Sequence, residues 1–257
     1  MRMGKLFFLF CVGFLAAYVP PSYSQGSAGA EATIEPRYLI DLPTAGIVPH
    51  GEIALDMEFF ESGGVLTGVT VGAFNRLLFG ISYGGTNIIG NDHPEWNRSP
   101  GASIKLRLIE ESLLVPAIAL GFSSQGKEIY VDRLSRYTIK SPGLYAVGSK
   151  NYEAMGHLSL HGGMNYSFED DDGDDDINLF VGAEKSFGPF LSLLGEYDFA
   201  INDSNRDALG SGRGYLNIGF RASVGNGLML GIVLKDVLAN QQNISLGTRI
   251  LQLEYVK

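Results

Sequence analysis

Cysteine, basic residues and long apolar runs are all scarce in this sequence, and each scarcity excludes a class of protein. The chain of 257 residues has one cysteine, Cys11, so it cannot form an intrachain disulfide framework. Beyond the first 24 residues, no apolar run approaches the ~20 residues that a transmembrane helix needs. Asp and Glu number 28 against 19 Lys and Arg, which gives a formal net charge of −9. We therefore expect no nucleic-acid partner, because such partners are bound through an excess of basic residues.

The N-terminus has the order of segments that is typical of a secretory signal peptide. Arg2 and Lys5 precede an apolar run over residues 6–18, and prolines and small residues follow. The run is shorter than a membrane-spanning helix, which makes a permanent anchor the weaker alternative. We predict that residues 1–24 are a signal peptide, with cleavage near Ser24.

From Gly51 onward, apolar and polar residues alternate with a period of two, the pattern of a β-strand with two different faces. Glycine is frequent, with 34 residues, and this disfavours a helical protein. Residues 25–50 are a mixed stretch with three prolines, which we interpret as a periplasmic N-terminal arm or cap. The alternation predicts twelve strands, near residues 51–60, 64–74, 76–84, 101–109, 114–122, 143–151, 156–167, 176–186, 189–199, 214–223, 227–237 and 247–256.

The connections between these strands alternate in length. Short ones such as 74–75 alternate with longer polar ones such as 85–100 and 123–142, and only the first hairpin, near 61–63, is short where a long loop is expected. Strands of about nine to eleven residues suit a tilted crossing of a bilayer, and short turns at one end with long loops at the other are typical of outer-membrane barrels. The sequence predicts an all-β fold, a single up-and-down antiparallel transmembrane β-barrel of about 12 strands over residues 51–257.

Each predicted strand has one apolar and one polar face. Ile104 and Leu106 alternate with Lys105 and Arg107, for example. Periodicity alone leaves a soluble β-sandwich open as an alternative, but long strands, alternating connections and aromatic residues near strand ends favour an apolar face turned to lipid. The polar face then encloses a narrow lumen, and we expect its ion pairs to fill much of that space. The charged residues of this inner face are Glu52, Asp56, Glu58, Lys105, Arg107, Lys150, Glu184, Glu196, Asp198, Arg221, Lys235 and Glu254.

Several segments resemble a family of bacterial outer-membrane barrels similar to the YjbH-type proteins, which are associated with exopolysaccharide production. The resemblance covers residues 38–257. It implies an outer-membrane location and a role in polysaccharide export or surface assembly. The segments are "LPTAGIVPHG" (42–51), "ISYGGTNIIG" (81–90), "YTIKSPGLYAVGSKNY" (137–152), "HGGMNYSFED" (161–170) and "LLGEYDFAIND" (193–203).

Residues 169–176, "EDDDGDDD", form the most acidic stretch of the chain. Calcium takes several carboxylate oxygens as ligands, and a divalent cation could also bridge this loop to lipopolysaccharide. However, the spacing does not fit an EF-hand loop around Gly173. We therefore interpret the segment as a solvated loop tip.

His157, Ser159 and His161 share the polar face of one predicted strand and raise the alternative of an envelope hydrolase. The two histidines are separated by about 13 Å along the strand, so they cannot share one metal ion unless another strand contributes ligands. We predict no catalytic, cofactor-binding or metal-binding residue, no cofactor and no enzymatic activity.

The sequence thus favours a non-enzymatic outer-membrane barrel of the Gram-negative envelope that aids exopolysaccharide export or surface assembly. The alternatives are a narrow, porin-like diffusion channel, a lipase-like envelope hydrolase and a soluble periplasmic β-protein. The partners we expect are outer-membrane lipid and lipopolysaccharide, the barrel-assembly machinery and, through the resemblance, a polysaccharide.

Overall fold

The computed structural model describes residues 27 to 257, apart from Thr33, Arg206 and residues 242–248. The predicted signal peptide, residues 1–24, lies outside the described residues. Within the described part of the chain there is no helix with the length and apolar character that a membrane crossing requires.

The chain forms a closed barrel of twelve antiparallel strands in up-and-down order, which confirms the predicted fold class. Three further short strands lie in the long connections and were not predicted. The strands are β1 (Ile53–Phe60), β2 (Gly64–Ala73), β3 (Leu77–Thr86), β4 (Glu95–Trp96), β5 (Gly101–Ile109), β6 (Ala117–Ser123), β7 (Lys127–Val131), β8 (Arg136–Ile139), β9 (Gly143–Glu153), β10 (His157–Tyr166), β11 (Asn178–Phe187), β12 (Leu191–Asp198), β13 (Tyr215–Gly225), β14 (Leu228–Leu234) and β15 (Arg249–Val256).

The barrel closes where the first strand pairs with the last. β1 and β15 run antiparallel, with Asp56 directly opposite Glu254 and Met57 opposite Leu253. This seam leaves no open sheet edge in the barrel wall, and an open edge would be very unfavourable in hydrocarbon, where unpaired backbone groups have no water to bond. β4, β7 and β8 lie outside the ring, with β4 paired to β3 and β7 paired to β8.

The two faces of the wall follow the alternation in the sequence. On the outer face, Ile81 and Ile232 are 67% and 68% exposed. On the inner face, Lys105, Glu184 and Glu196 are at most 3% exposed. A polar interior and an apolar exterior are the reverse of a soluble β-sandwich, and they are typical of a membrane barrel.

Tight turns gather at one end of the barrel and long loops at the other. The β13–β14 turn, for instance, is made by Gly225, Asn226 and Gly227, whose φ angles of +96°, +52° and +82° suit glycine and asparagine. Both ends of the barrel sequence, before Ile53 and after Val256, lie at the tight-turn end. In an outer-membrane barrel this end faces the periplasm.

Candidate functional site in the barrel lumen

The N-terminal segment lies inside the barrel. Residues 27–50, which we call the plug, form an irregular hairpin whose tip is closed by an antiparallel bridge between Tyr38 and Pro43 and by a hydrogen bond from Leu39 N to Leu42 O of 2.9 Å. Leu39 and Ala45 are fully buried. Residues 27–50 therefore fold up into the lumen, where they contact the inner face of the wall.

Glu196, on β12, binds the tip of the plug through the plug's own backbone. The N–H groups of Ile40, Asp41 and Leu42 all donate to its carboxylate, at 3.0 to 3.1 Å. Asn217 on the neighbouring strand donates to the same carboxylate at 2.8 Å. Because an irregular segment has no ladder partners, its buried N–H groups need acceptors from elsewhere, and Glu196 supplies them.

Cationic side chains of the wall bind the carbonyl oxygens of the plug. Lys105 Nζ donates to Arg37 O at 2.9 Å and to Gly46 O at 3.1 Å. Arg221 donates to Leu39 O at 2.5 Å and to the hydroxyl of Ser27 at 2.7 Å. Ion pairs such as Lys235–Glu58 do lie in the lumen, as expected, but the plug backbone takes the hydrogen bonds of Lys105 and Arg221.

Arg37 of the plug lies across the seam that closes the barrel. Its guanidinium contacts Asp56 at 2.5 Å and Glu254 at 2.7 Å. These two carboxylates are cross-strand neighbours on β1 and β15. Like charges directly opposite each other destabilise a sheet, so the plug supplies the charge that the seam lacks.

A four-residue ionic cluster joins the tip of the plug to the outer end of the barrel. Lys235 contacts Asp41 of the plug at 2.7 Å and Glu58 of the wall at 3.0 Å. Glu58 also binds Lys127, on β7, at 2.6 Å. The cluster therefore links the plug, the wall and the outer loops.

Residues 124–142, with β7 and β8, fold over the outer end of the barrel together with the loops 167–177 and 199–214; we call these three segments the lid. Arg136 is fully buried at their junction and binds Asp172 and, at 2.7 Å, Asp203. Lys140 binds Asp172 as well, at 2.8 Å. The lid is therefore held by ion pairs between its three segments.

The acidic segment 169–176 contributes directly to this junction. Asp172 and Asp174 are buried, which corrects the interpretation of the whole segment as a solvated tip. Asp172 binds cationic side chains, and Asp174 accepts from the backbone of Ser204 at 2.9 Å. Across the described residues, no cluster of three or more His, Cys, Asp or Glu side chains is placed to hold a metal ion.

Burial changes the acidity of several lid groups. Burial raises the pKa of Glu128, on β7, to about 7, although Lys235 and a hydrogen bond from Gln241 at 3.0 Å act in the opposite direction. Burial also raises the pKa of Tyr137 to about 12. It raises the pKa of Glu169 as well, although a hydrogen bond from the backbone N–H of Tyr137 to the Glu169 carboxylate acts in the opposite direction. Glu128 is thus a lid group that titrates near neutral pH.

The three residues that suggested a hydrolase do not form a serine–histidine pair. The Ser159 hydroxyl donates to Asn151 at 2.5 Å, whereas His161 Nδ1 lies 2.8 Å from the Ser149 hydroxyl. Ser149 in turn accepts from the plug at Ala45 N, at 2.8 Å. His157 lies 2.8 Å from the carbonyl of Ala30, also in the plug. These contacts give the two histidines a role in seating the plug.

Two of the cavities in the described part of the lumen lie along the plug. The larger, about 1210 Å³ including the space at its mouth, lies between the plug at Tyr38 and the inner face of β1, β2, β3 and β5. The smaller, about 670 Å³, lies nearer the tight-turn end beside Glu35, Arg107 and His161. We refer to the larger cavity as the chamber.

Plug residues were missed by the sequence analysis. Glu35, Arg37 and Asp41 are isolated charges in a stretch without periodicity, and nothing local indicates their partners. The one available signal was chemical: a barrel interior with many charges of both signs and a charged, proline-rich segment directly before it.

No family model and no curated protein sequence matches this chain. The solved structures that are similar to it include two porins and an outer membrane channel. The KdgM porin has a TM-score of 0.48 and 9% identity, covering 79% of this chain and 98% of that chain. The NanC porin has a TM-score of 0.44 and 8% identity, with coverage of 80% and 98%. An outer membrane channel from Pseudomonas putida F1 has a TM-score of 0.34 and 12% identity, with coverage of 82% and 96%. At these TM-scores and identities, the similarity gives no information about which solute, if any, this protein transports.

Proposed function

We propose that this protein is a non-enzymatic outer-membrane barrel that serves as a narrow polar channel, closed at rest by its own N-terminal segment. The closed ring, the apolar outer face and the segregation of short turns from long loops support the membrane location. The polar inner face supports a path for hydrophilic solutes.

The observation that carries this proposal is the way in which the plug is held. The segment is covalently joined to the wall at β1. Hydrogen bonds and ion pairs such as those of Glu196 and Arg37 hold it, together with apolar contacts that its buried Leu39 and Val48 make with the wall. Water can replace the polar contacts one by one. The plug of this proposal leaves the lumen when these contacts are exchanged for water, and then returns.

The remaining expectations stand as proposals. Export through the predicted signal peptide, assembly by the barrel machinery and contact with lipopolysaccharide all accompany an outer-membrane barrel. A role with exopolysaccharide stays a prediction from the resemblance alone. Fractionation of the envelope, with heat-modifiable migration in detergent gels, tests the location.

Planar-bilayer conductance tests the channel. We expect the parent protein to be silent and a variant lacking residues 27–46 to show stable, ohmic steps, because the deletion removes all but the last four residues of the plug and leaves the wall complete. Glu31→Ala, which changes an exposed plug side chain, is the matched control and should stay silent. A deletion variant that is folded by heat-modifiability and yet does not conduct would contradict the proposal, as would a parent that conducts as well as the deletion variant.

A further inference from the structure

The chamber lies against a part of the wall where several inward side chains are small. On β2, β3 and β5, glycine and serine alternate across the strands: Gly68 is opposite Ser82, Ser82 is opposite Gly101, and Gly80 is opposite Ser103. A Cβ added at Gly68 would meet nothing nearer than 3.5 Å. The opposite sector, by contrast, is filled by long inward side chains that bind the plug.

The charges that line the chamber already have partners within the protein. Arg37 is neutralised by Asp56 and Glu254, and Lys127 by Glu58. A charged ligand would have to compete with an ion pair that the protein has completed, and it would leave a buried charge without a partner. The other charged groups of the lining are engaged in the same way: Asp41 binds Lys235, Lys140 binds Asp172, Asp198 accepts a hydrogen bond from Asn178, and Arg221 donates to the plug backbone.

The groups that remain for a ligand are hydroxyls, an amide and one aromatic ring. In the described part of the chain nothing makes a hydrogen bond to the hydroxyl of Ser103, and Ser82 bonds only to the Gln125 side chain, at 3.0 Å. Each hydroxyl can donate once and accept twice, so both retain capacity. Tyr38 of the plug also lines the chamber, and Lys105 Nζ lies 5.5 Å from the centre of its ring.

We propose that the chamber is a binding site for a neutral polyhydroxylated solute, such as one or two sugar rings. The hydroxyl and amide groups of the lining suit the hydroxyls of such a ligand, and the aromatic ring of Tyr38 suits its C–H groups. This assignment rests on the proposed function and names the class of solute for the same lumen.

Binding is measured on the folded full-length protein in detergent, by saturation-transfer NMR and calorimetry, with maltose as the neutral probe. Glucuronate and glucosamine serve as acidic and basic probes of similar shape. Ser103→Leu fills the chamber and should weaken maltose binding about tenfold or more. Ser103→Ala removes one hydroxyl without adding bulk and should weaken it about two- to tenfold. Gly195→Leu adds the same bulk on the outer face, where a new Cβ meets nothing within 4 Å, and should have no effect.

The outcomes separate this inference from the proposed channel, because the binding experiment requires no conduction. Maltose binding that both Ser103 variants weaken would support the site, whether or not the deletion variant conducts. Tighter binding of glucuronate or glucosamine than of maltose would overturn it. Equal maltose binding by Ser103→Ala, Ser103→Leu and Gly195→Leu would overturn it as well, even if the deletion variant conducts as expected.

Discussion

Of the plug residues, we expect Arg37 to contribute most to holding the plug inside the lumen. It is 2% exposed and binds two carboxylates that face each other across the barrel seam. Arg37→Met keeps much of the side-chain volume but leaves Asp56 and Glu254 as adjacent like charges. Removing one partner of a buried ion pair typically destabilises by about 3–5 kcal/mol. Asp56 is 38% exposed, so solvent screens part of the charge, and we expect about 3 kcal/mol.

Thiol labelling measures this change. Cys11 is the only cysteine, so a Cys11→Ser background carrying Val48→Cys reports on the plug alone, and Val48 is 2% exposed when the plug is seated. If labelling requires the plug to leave, a loss of about 3 kcal/mol raises the labelling rate about 150-fold, at 1.36 kcal/mol per factor of ten. The parent and Arg37→Met should otherwise show the same heat-modifiable barrel.

A charge-rescue variant distinguishes electrostatics from packing. Adding Asp56→Asn and Glu254→Gln to Arg37→Met removes the repulsion and should return most of the protection. An Arg37→Met variant that labels at the parent rate would refute the argument that the ion triad of Arg37, Asp56 and Glu254 holds the plug. Unchanged fast labelling in the triple variant would show that the loss comes from the missing packing of the arginine.

Three further predictions concern the outer face and the lid. Ile218→Arg places a charge on the apolar outer face and should destabilise folding into vesicles by about 2–4 kcal/mol if the site lies at the bilayer midplane, while Ile218→Leu should be nearly neutral in the same urea titration. Arg136→Met leaves buried carboxylates at the lid junction and should speed protease cleavage within residues 199–214, whereas the exposed Arg133→Met should not. Glu128 keeps its proton to about pH 7 in the closed lid but ionises near pH 4.5 when the lid opens, so lid stability should fall as pH rises from about 4.5 through about 7. Hydrogen exchange of β7 and β8, corrected for the intrinsic pH dependence, measures this, and a Glu128→Gln variant with the same pH profile as the parent would contradict it.

The barrel could be predicted from the sequence because its cause is local. A strand at the boundary between lipid and lumen must alternate apolar and polar residues, and twelve such stretches lie along the chain. The agreement extends to individual strands: the predicted strand at 214–223 corresponds to Tyr215–Gly225, and that at 143–151 corresponds to Gly143–Glu153. Connection lengths then set the up-and-down order, since neighbouring strands joined by short turns pair directly.

The lid was beyond sequence reasoning for a different reason. Its hairpin, β7 and β8, is short, and the sequence of the connection that contains it indicates only a long polar loop. Arg136, Asp172 and Asp203 come from three separate loops, and each taken alone resembles a solvated charge. Their burial becomes visible only when the loops converge.

What the sequence determined by itself was the wall: the number of strands, their order and the direction in which each side chain points. What only the tertiary structure decided was the content of the lumen. Glu196 and Ile40 are 156 residues apart, and an inward carboxylate has the same sequence pattern whether it faces water, a cation or the backbone of a distant segment. The plug, the ion triad at the seam and the chamber depend on such long-range pairings, because an irregular segment takes its hydrogen-bond partners from whichever wall it is folded against.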